Sequence, residues 1–193
     1  MLINYEEGMK LKNYILKDDH VSLMATFNMD RPDNRVEYDF WYTSSDDRAL
    51  DFLRDFKENH LQFGKDVLMT PHFAFWTCKE CDKTILKRDC FGNGKYCAIN
   101  DQNLNTTGSD ILLEDLRQYC IHKKVVGKKD EYKFWDYVSY FHEECYNSVT
   151  VECSKNAHSS AGLKFKDTQS CVDKTFYGPG QRWEQGNEMF DEE

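Results

Sequence analysis

Two cysteines of this chain have the spacing of a redox-active pair. Cys78 and Cys81 form a C-x-x-C motif, which is reactive when its first cysteine lies at a helix N-terminus, because the helix dipole there favours the thiolate. In folds that use such a pair, it occupies the loop between a core strand and the following helix. The corresponding loop here is residues 43–47, which contain no cysteine. We therefore expect Cys78 and Cys81 to form structural disulfides with more distant partners.

The remaining cysteines bear on the choice between a zinc site and a disulfide framework. Cys90 and Cys97 bring the sulfurs to four within 20 residues, enough for a thiolate tetrahedron around zinc. Their C-x6-C spacing is wide for a zinc knuckle, however, and the other cysteines would be left unexplained. An even number of clustered cysteines is typical of disulfides formed in an oxidising compartment. We predict structural disulfides for all eight: Cys78, Cys81, Cys90, Cys97, Cys120, Cys145, Cys153 and Cys171.

The partners of these cysteines are not fixed by the sequence. Eight cysteines allow about a hundred complete pairings. A bond between Cys78 and Cys81 would reopen two alternatives, a disulfide oxidoreductase and a zinc site.

Other residues that carry chemistry form no catalytic group. The six histidines follow no metal-binding spacing, and no HExxH, GxSxG, P-loop or GxGxxG motif occurs. The six histidines are His20, His60, His72, His122, His142 and His158. We predict a non-catalytic protein without cofactor or metal, with His72 and His142 as packing or surface residues. Asn105 begins an N-glycosylation sequon, in agreement with an oxidising compartment.

Composition limits the class of protein. The 193 residues, of which 40% are apolar, suffice for one sizeable domain. The formal net charge of −9 argues against binding to nucleic acid or to an anionic membrane surface. Residues 1–12 are too charged for a signal peptide, and no run of 18 apolar residues exists. A disulfide-rich chain of this kind is expected to be an internal piece of a larger secretory protein.

The first half of the chain predicts a βαβ unit. Apolar and polar side chains alternate in residues 21–29, in residues 35–42 and in residues 67–76, which predicts three strands, the second with one firmly buried face. Between the last two, residues 49–63 have helical periodicity and are followed by Gly64, a helix stop. A strand, helix and strand in this order predict a parallel pair.

The second half predicts helices tied by disulfides. Four helices are expected: one capped by Ser109 or Asp110 and running through Cys120, then residues 131–145, 149–161 and 163–175. Residues from 176 onward are expected to be irregular. The fold class is therefore α+β, with a disulfide-rich helical insertion at about residues 77–176. Residues 1–20, with a short helix at 8–16, are expected to be the tail of a preceding domain.

Several segments resemble a known family. Landmark aromatic residues and cysteines occur in five segments in the family's order: DNRVEYDFW (33–41), TPHF (70–73), GKYCA (94–98), DLRQYC (115–120) and FWDYVSYF (134–141). Together they resemble the central lumenal domain of the vacuolar sorting receptors, over residues 21–176. The six cysteines from Cys90 to Cys171 fall at the family's positions, and residues 1–20 are similar to the end of its protease-associated domain.

This resemblance implies a thioredoxin-like domain, residues 21–193, in a type I membrane receptor. Such a receptor also has a protease-associated domain, EGF-like repeats with possible calcium, and a transmembrane helix outside this chain. It binds sorting peptides of soluble cargo proteins in the Golgi and releases the cargo in acidified compartments. The hypothesis for this chain is cargo binding, or positioning of the cargo-binding domain, with pH gating by histidines such as His72 or His142. A structural module of an extracellular or organellar assembly is a further alternative.

Two departures from the family pattern matter. The family carries a cysteine pair just after the Phe-Trp strand, where this chain has Asp46, Asp47, Arg48 and Ala49. The chain is also expected to end before the closing strands of the fold, so that part of the domain is truncated. Because the family's best-placed cargo contacts lie in the preceding domain, no cargo-binding residue is assigned here.

Overall fold

The computed structural model describes residues 8–10, 12, 13, 17, 34–98 and 106–192. Residues 1–34 and residues 35–193 form two separate units. In the first unit, residues 8–10, 12 and 13 are helical, within the helix expected at 8–16. The strand expected at residues 21–29 lies outside the described residues, and the domain boundary at residue 20 stays a prediction.

The second unit begins with the predicted βαβ arrangement. Strand β1 (Val36–Tyr42), helix α1 (Asp47–Phe63) and strand β2 (Val67–Phe73) follow one another. The two strands are parallel, in register from Val36 opposite Val67 to Tyr42 opposite Phe73. Strand β2 ends earlier than predicted because Trp76 pairs instead with Cys97 in a separate bridge. Among the described residues no third strand joins this sheet.

The ends of α1 follow from two residues. The Asp46 carboxylate accepts hydrogen bonds from the amides of Arg48 and Ala49, which satisfies free donors of the first turn. Gly64 ends the helix with a φ of 54°, a conformation that favours glycine. Both the capping segment and the helix stop were predicted.

The apolar face of β1 is less buried than expected. Tyr42 is buried, Tyr38 and Phe40 are half-buried, and Val36 is 61% exposed. The cover is partial because Phe52 of α1, which stacks on Phe40 with ring centroids 5.2 Å apart, is itself 46% exposed.

The rest of the unit is mainly helical, and the fold class is α+β. After β2 the elements are α2 (Lys83–Asp89), β3 (Cys90–Phe91), β4 (Tyr96–Cys97), α3 (Gly108–Val125), α4 (Tyr132–Glu144), α5 (Val151–Ser160), α6 (Phe165–Thr175), β5 (Phe176–Tyr177), β6 (Gly186–Asn187) and α7 (Glu188–Glu192). Strands β3 and β4 pair antiparallel, as do β5 and β6.

Residues from 176 onward are more ordered than predicted. Beyond the β5–β6 hairpin, Met189 and Phe190 of α7 are buried. The Asp191 carboxylate accepts hydrogen bonds from the hydroxyls of Tyr96 and Tyr177. Aromatic side chains thus anchor an acidic segment whose composition alone suggested a loop.

Helix α3 lies at the centre of the unit. It packs against β2, β3 and β4 and against α2, α4 and α6. Its apolar residues are buried, but so are several polar ones: Glu114, Asp115, Arg117, Gln118 and His122. A helix surrounded on most sides buries most of its circumference, which explains why polar residues lie inside.

The start of α3 differs from the prediction. Thr107, rather than Ser109 or Asp110, is the capping residue, and Asp110 completes a capping box with it. The backbone makes a close approach at the next position, where the amide of Gly108 donates to the Asp89 carboxylate at 2.8 Å. A Cβ atom at Gly108 would lie 1.9 Å from the carbonyl oxygen of Ala98.

Replacing Gly108 with alanine should therefore destabilise the protein, although alanine favours helix by about 1 kcal/mol over glycine. Overpacking of this kind costs about 1–3 kcal/mol of unfolding free energy, measurable by urea denaturation. Ser109→Ala is the matched control, because the Ser109 hydroxyl is buried without a hydrogen-bond partner among the described residues. It should leave the stability unchanged or raised. Equal stability of both variants would contradict the close approach.

Candidate functional site

The loop between β1 and α1 is the place where a thioredoxin-like fold presents its reactive groups. Here Ser44 is fully buried, and its amide donates to the Asp115 carboxylate at 2.7 Å. The Ser44 hydroxyl donates to the Ile111 carbonyl at 3.3 Å, and the hydroxyls of Ser45 and Thr43 lie 3.0 Å apart. Among the described residues no histidine is hydrogen-bonded to either serine. The loop is held against α3 and offers no activated nucleophile.

Asp115, beneath this loop, carries an unusual carboxyl group. It is fully buried, and its second oxygen, Oδ2, has no hydrogen-bond partner among the described residues. Burial raises the pKa of Asp115 to about 8, although hydrogen bonds from Ser44 oppose the shift. The group is therefore mostly protonated at neutral pH.

Glu114, its neighbour, is the centre of a buried network. Its carboxylate accepts hydrogen bonds from the Tyr137 hydroxyl at 2.6 Å, from the Arg117 guanidinium at 3.2 Å and from the Ser154 hydroxyl. The amide of Gln118 donates to the same carboxylate at 3.4 Å. Burial, together with the charge of Glu114, raises the pKa of Tyr137 well above its ordinary value, so that the phenol remains a donor. The arrangement holds α3 against α4 and α5, although Nε of Arg117 has no hydrogen-bond partner among the described residues.

All eight cysteines form disulfides within the described part of the chain. The pairs are Cys78–Cys81, Cys90–Cys97, Cys120–Cys171 and Cys145–Cys153. The second closes the β3–β4 hairpin, the third joins α3 to α6, and the fourth joins the end of α4 to the first turn of α5. The expectation of distant partners for Cys78 and Cys81 is wrong. Neither zinc nor any other metal has a cluster of three or more suitable ligands among the described residues.

The surroundings of the Cys78–Cys81 bond do not favour a thiolate. Cys81 precedes Asp82, the N-cap residue of α2, whose first amides would be the natural donors to a thiolate. The Asp82 carboxylate already occupies them, since it accepts from Thr84 at 2.7 Å and from Ile85 at 3.1 Å. These backbone hydrogen bonds lower the pKa of Asp82. A thiolate at Cys81 would thus lie beside a carboxylate instead of free amides.

The two histidines singled out from the sequence lie in different surroundings. His72 lies on the outer face of the sheet, stacked on Trp41 with centroids 4.5 Å apart and 2.9 Å from the Asp39 carboxylate. His142 is buried between α4 and α1: its Nε2 atom lies 2.9 Å from Asp47 and its Nδ1 atom 3.3 Å from Arg54. His72 is a surface residue and His142 a packing residue.

The sequence did not point to two further histidines, His60 and His122, which are buried near Glu131. Nε2 of His60 lies 3.0 Å from the Glu131 carboxylate. Burial lowers the pKa of His122 to about 4. A signal existed for His60, which continues the buried stripe of α1 formed by Leu50 and Leu53.

The predicted glycosylation site and the expected absence of a membrane span are covered by the structure only in part. Asn105 lies outside the described residues, so its glycosylation stays a prediction; the Thr107 hydroxyl of the same sequon donates to Asp110 at 2.7 Å. In the part of the chain that the structure describes, each helix is too short or too polar to span a lipid bilayer.

The fold and the closed β1–α1 loop define a thioredoxin-like domain that lacks cysteines at the usual redox position. Residues 36–192 match the family model of the vacuolar sorting receptor thioredoxin-like domain. The chain is 32% identical over 194 residues to vacuolar-sorting receptor 1 of Pisum sativum, covering 89% of this chain and 30% of that protein. It is 30% identical over 189 residues to vacuolar-sorting receptor 6 of Arabidopsis thaliana, with the same two coverages of 89% and 30%. The chain belongs to the vacuolar sorting receptor family.

Asp115→Asn should change how stability depends on pH. Because the folded protein holds this proton and the unfolded chain releases it near pH 4, stability rises as pH falls from about 8 towards 4, by up to about 1.4 kcal/mol per pH unit. Asparagine keeps the acceptor for the Ser44 amide and cannot ionise. We expect urea denaturation between pH 6.5 and 8 to show that the unfolding free energy of the wild type decreases clearly as pH rises. In the variant this dependence on pH should be smaller by most of the about 1.4 kcal/mol per pH unit that one proton contributes. Equal slopes would contradict the buried proton.

Proposed function

We propose that the chain is a non-catalytic lumenal segment of a sorting receptor. In this role it binds soluble cargo proteins, or positions the domain that binds them, for delivery to a vacuole or lysosome-related organelle. The observation that carries the proposal is the family match over residues 36–192. The matching relatives are named as vacuolar sorting receptors, and the chain spans about 30% of their length.

The proposed location and partners follow from the same match. The segment lies in the lumen of the secretory or endomembrane system, where disulfides persist. Its partners are cargo proteins with sorting peptides and, in the same receptor, the protease-associated and calcium-associated EGF-like domains. Contact with the membrane is made by a transmembrane helix outside this chain.

The closed β1–α1 loop supports the absence of catalysis. Ser44 is held by Asp115 and Ile111, and the amides in the first turn of α2 are occupied by Asp82. One observation favours a second candidate, a disulfide oxidoreductase, because Cys78 and Cys81 are bonded to each other. A purely structural module is the third candidate.

Affinity capture distinguishes the receptor from the structural module. The full chain, immobilised with its disulfides intact, should retain soluble hydrolases from a lumenal extract of its own source at pH 7. Retained proteins should be released by a peptide copied from the sorting signal of one of them. Retention that such peptides do not reverse would contradict the proposal.

An insulin-reduction assay tests the oxidoreductase candidate. With dithiothreitol as reductant, the full chain should not accelerate insulin precipitation beyond the uncatalysed rate. The matched control is the Cys78→Ser/Cys81→Ser variant, which should behave identically. Acceleration by the wild type that the double variant loses would establish redox catalysis and overturn the non-catalytic assignment.

His142 is the better placed of the two histidines for pH gating. Its Nδ1 atom accepts from Arg54, which requires the neutral ring, while Nε2 donates to Asp47. Protonation would add a hydrogen at Nδ1 and a second positive charge beside Arg54, at the packed interface of α1 and α4. His72, by contrast, lies on the outer face of the sheet against Trp41 and Asp39.

We therefore expect cargo affinity to fall between pH 7 and pH 5 in the wild type and to remain within about twofold in His142→Gln. Glutamine can accept and donate at this position but does not titrate. His72→Gln serves as the control and should keep the wild-type fall. Binding curves at both pH values measure this. An undiminished fall in His142→Gln would exclude His142 as the gate.

A further inference from the structure

A cleft of about 530 Å³ opens between the end of α1, the start of β2 and the turn that connects α3 to α4. Its size lies within the range of clefts that hold small ligands or a few peptide residues. None of the sites described above includes it, although His60 forms part of its wall.

Two residues that line the cleft, His60 and Glu131, belong to a hydrogen-bonded chain that begins at Tyr38. The Tyr38 hydroxyl lies 2.9 Å from Nδ1 of His60, and Nε2 of His60 lies 3.0 Å from the Glu131 carboxylate. The other Glu131 oxygen accepts from the amide of Gly127 at 2.9 Å. Burial alone would raise the pKa of Glu131, but these hydrogen bonds outweigh it and lower the pKa. Both oxygens of Glu131, the one carboxylate among the described residues that line the cleft, therefore already have a hydrogen-bond partner in the protein.

The rim of the cleft is cationic in a chain whose net charge is −9. Arg35, Lys65, Lys128 and Lys129 line it, against the single carboxylate of Glu131. Arg35 lies 3.3 Å from Glu37, and Lys128 donates to a backbone carbonyl at the end of α3. Lys65 and Lys129 form no ion pair within the described part of the chain. Such a surface attracts an anionic group.

Apolar side chains form the rest of the cleft wall. Leu61, Val67 and Leu68 line the cleft, together with Tyr132, which is 45% exposed. A ligand that fits this combination has a negative charge next to an aliphatic side chain.

We propose that the cleft binds a carboxylate-bearing peptide segment, with the carboxylate facing Lys65 and Lys129 and an aliphatic side chain against Leu61 and Val67. The choice of a peptide rests on the proposed receptor function, since the cargo of such a receptor is protein. The carboxylate can come from a chain terminus or from an aspartate or glutamate side chain, and both sources share the same chemistry.

Fluorescence anisotropy with three labelled peptides tests the ligand class on the full chain. The peptides are Gly-Ser-Gly-Ser-Val-Leu as the free acid, the same peptide as the amide, and Gly-Ser-Gly-Asp-Val-Leu as the amide. The free acid should bind at least tenfold more tightly than the neutral amide. Binding of the aspartate amide would show that the cleft also accepts a carboxylate from a side chain. Equal binding of the free acid and the neutral amide, or binding of inorganic phosphate with no peptide bound, would overturn the proposal.

Charge reversal tests the location. Lys65→Glu/Lys129→Glu should weaken free-acid binding at least tenfold. Lys83→Glu/Lys87→Glu on α2 is matched in charge but lies near the opposite end of α3, and it should change binding less than twofold. If the first variant fails to fold, Lys65→Gln/Lys129→Gln replaces it, with an expected weakening of at least threefold. Equal effects of the cleft and control variants would place binding elsewhere.

Cargo capture in parallel separates this proposal from the receptor function. If wild type and cleft variants retain cargo equally and bind the free acid equally, the cleft proposal fails and the receptor role stands. If the wild type retains no cargo but the peptides discriminate as expected, the receptor role fails and the carboxylate site stands.

Discussion

The fold of residues 35–193 depends on a charged pair placed inside its central helix. Glu114 and Arg117 are almost completely buried, and burying charges costs several kcal/mol unless hydrogen bonds compensate. The compensation comes from separate elements, because Tyr137 of α4 and Ser154 of α5 donate to Glu114, and the neighbouring glutamine accepts from Tyr42 of β1. Because the hydrogen bonds of this network join α3 to β1, α4 and α5, the network forms only when the βαβ unit and the helices pack together. The cysteine-rich insertion is therefore part of the core.

This network also shows where sequence reasoning ended. The βαβ unit, its parallel pairing, the capping segment before α1 and the stop at Gly64 follow from local signals, and the structure confirms them. The burial of Glu114 could not be predicted, because a polar run within a helix is ordinarily solvated. The same reasoning placed the cap of α3 at Ser109 or Asp110, whereas the close approach of Gly108 to Asp89 moves it to Thr107.

The sequence predicted which chemistry the candidate site lacks, but it did not predict which residues the fold brings together there. The missing cysteines between β1 and α1 could be read directly, and they indicated that redox chemistry is absent from its usual place. Disulfide partners depend on distances that spacing does not encode, so Cys78 and Cys81 were wrongly given distant partners. The cleft near Glu131 joins residues from three stretches of the chain. No local pattern relates Lys65 to Lys129, which become neighbours of one cleft only through packing.

Buried titratable groups change the stability of this domain in opposite directions as pH falls. Asp115, with its pKa raised to about 8, stabilises the fold as pH falls towards 4. His122, whose burial lowers its pKa to about 4, acts in the opposite direction: the unfolded chain takes up its proton near pH 6.5, so stability is lost between pH 6.5 and 4. Between pH 6.5 and 4, Asp115 carries its proton in the folded state and His122 carries its proton in the unfolded state. The two contributions to the unfolding free energy therefore largely cancel. Burial also lowers the pKa of His158, which adds to the loss of stability as pH falls. The raised pKa of Asp115 therefore offsets only part of the acid sensitivity that the buried histidines give this domain.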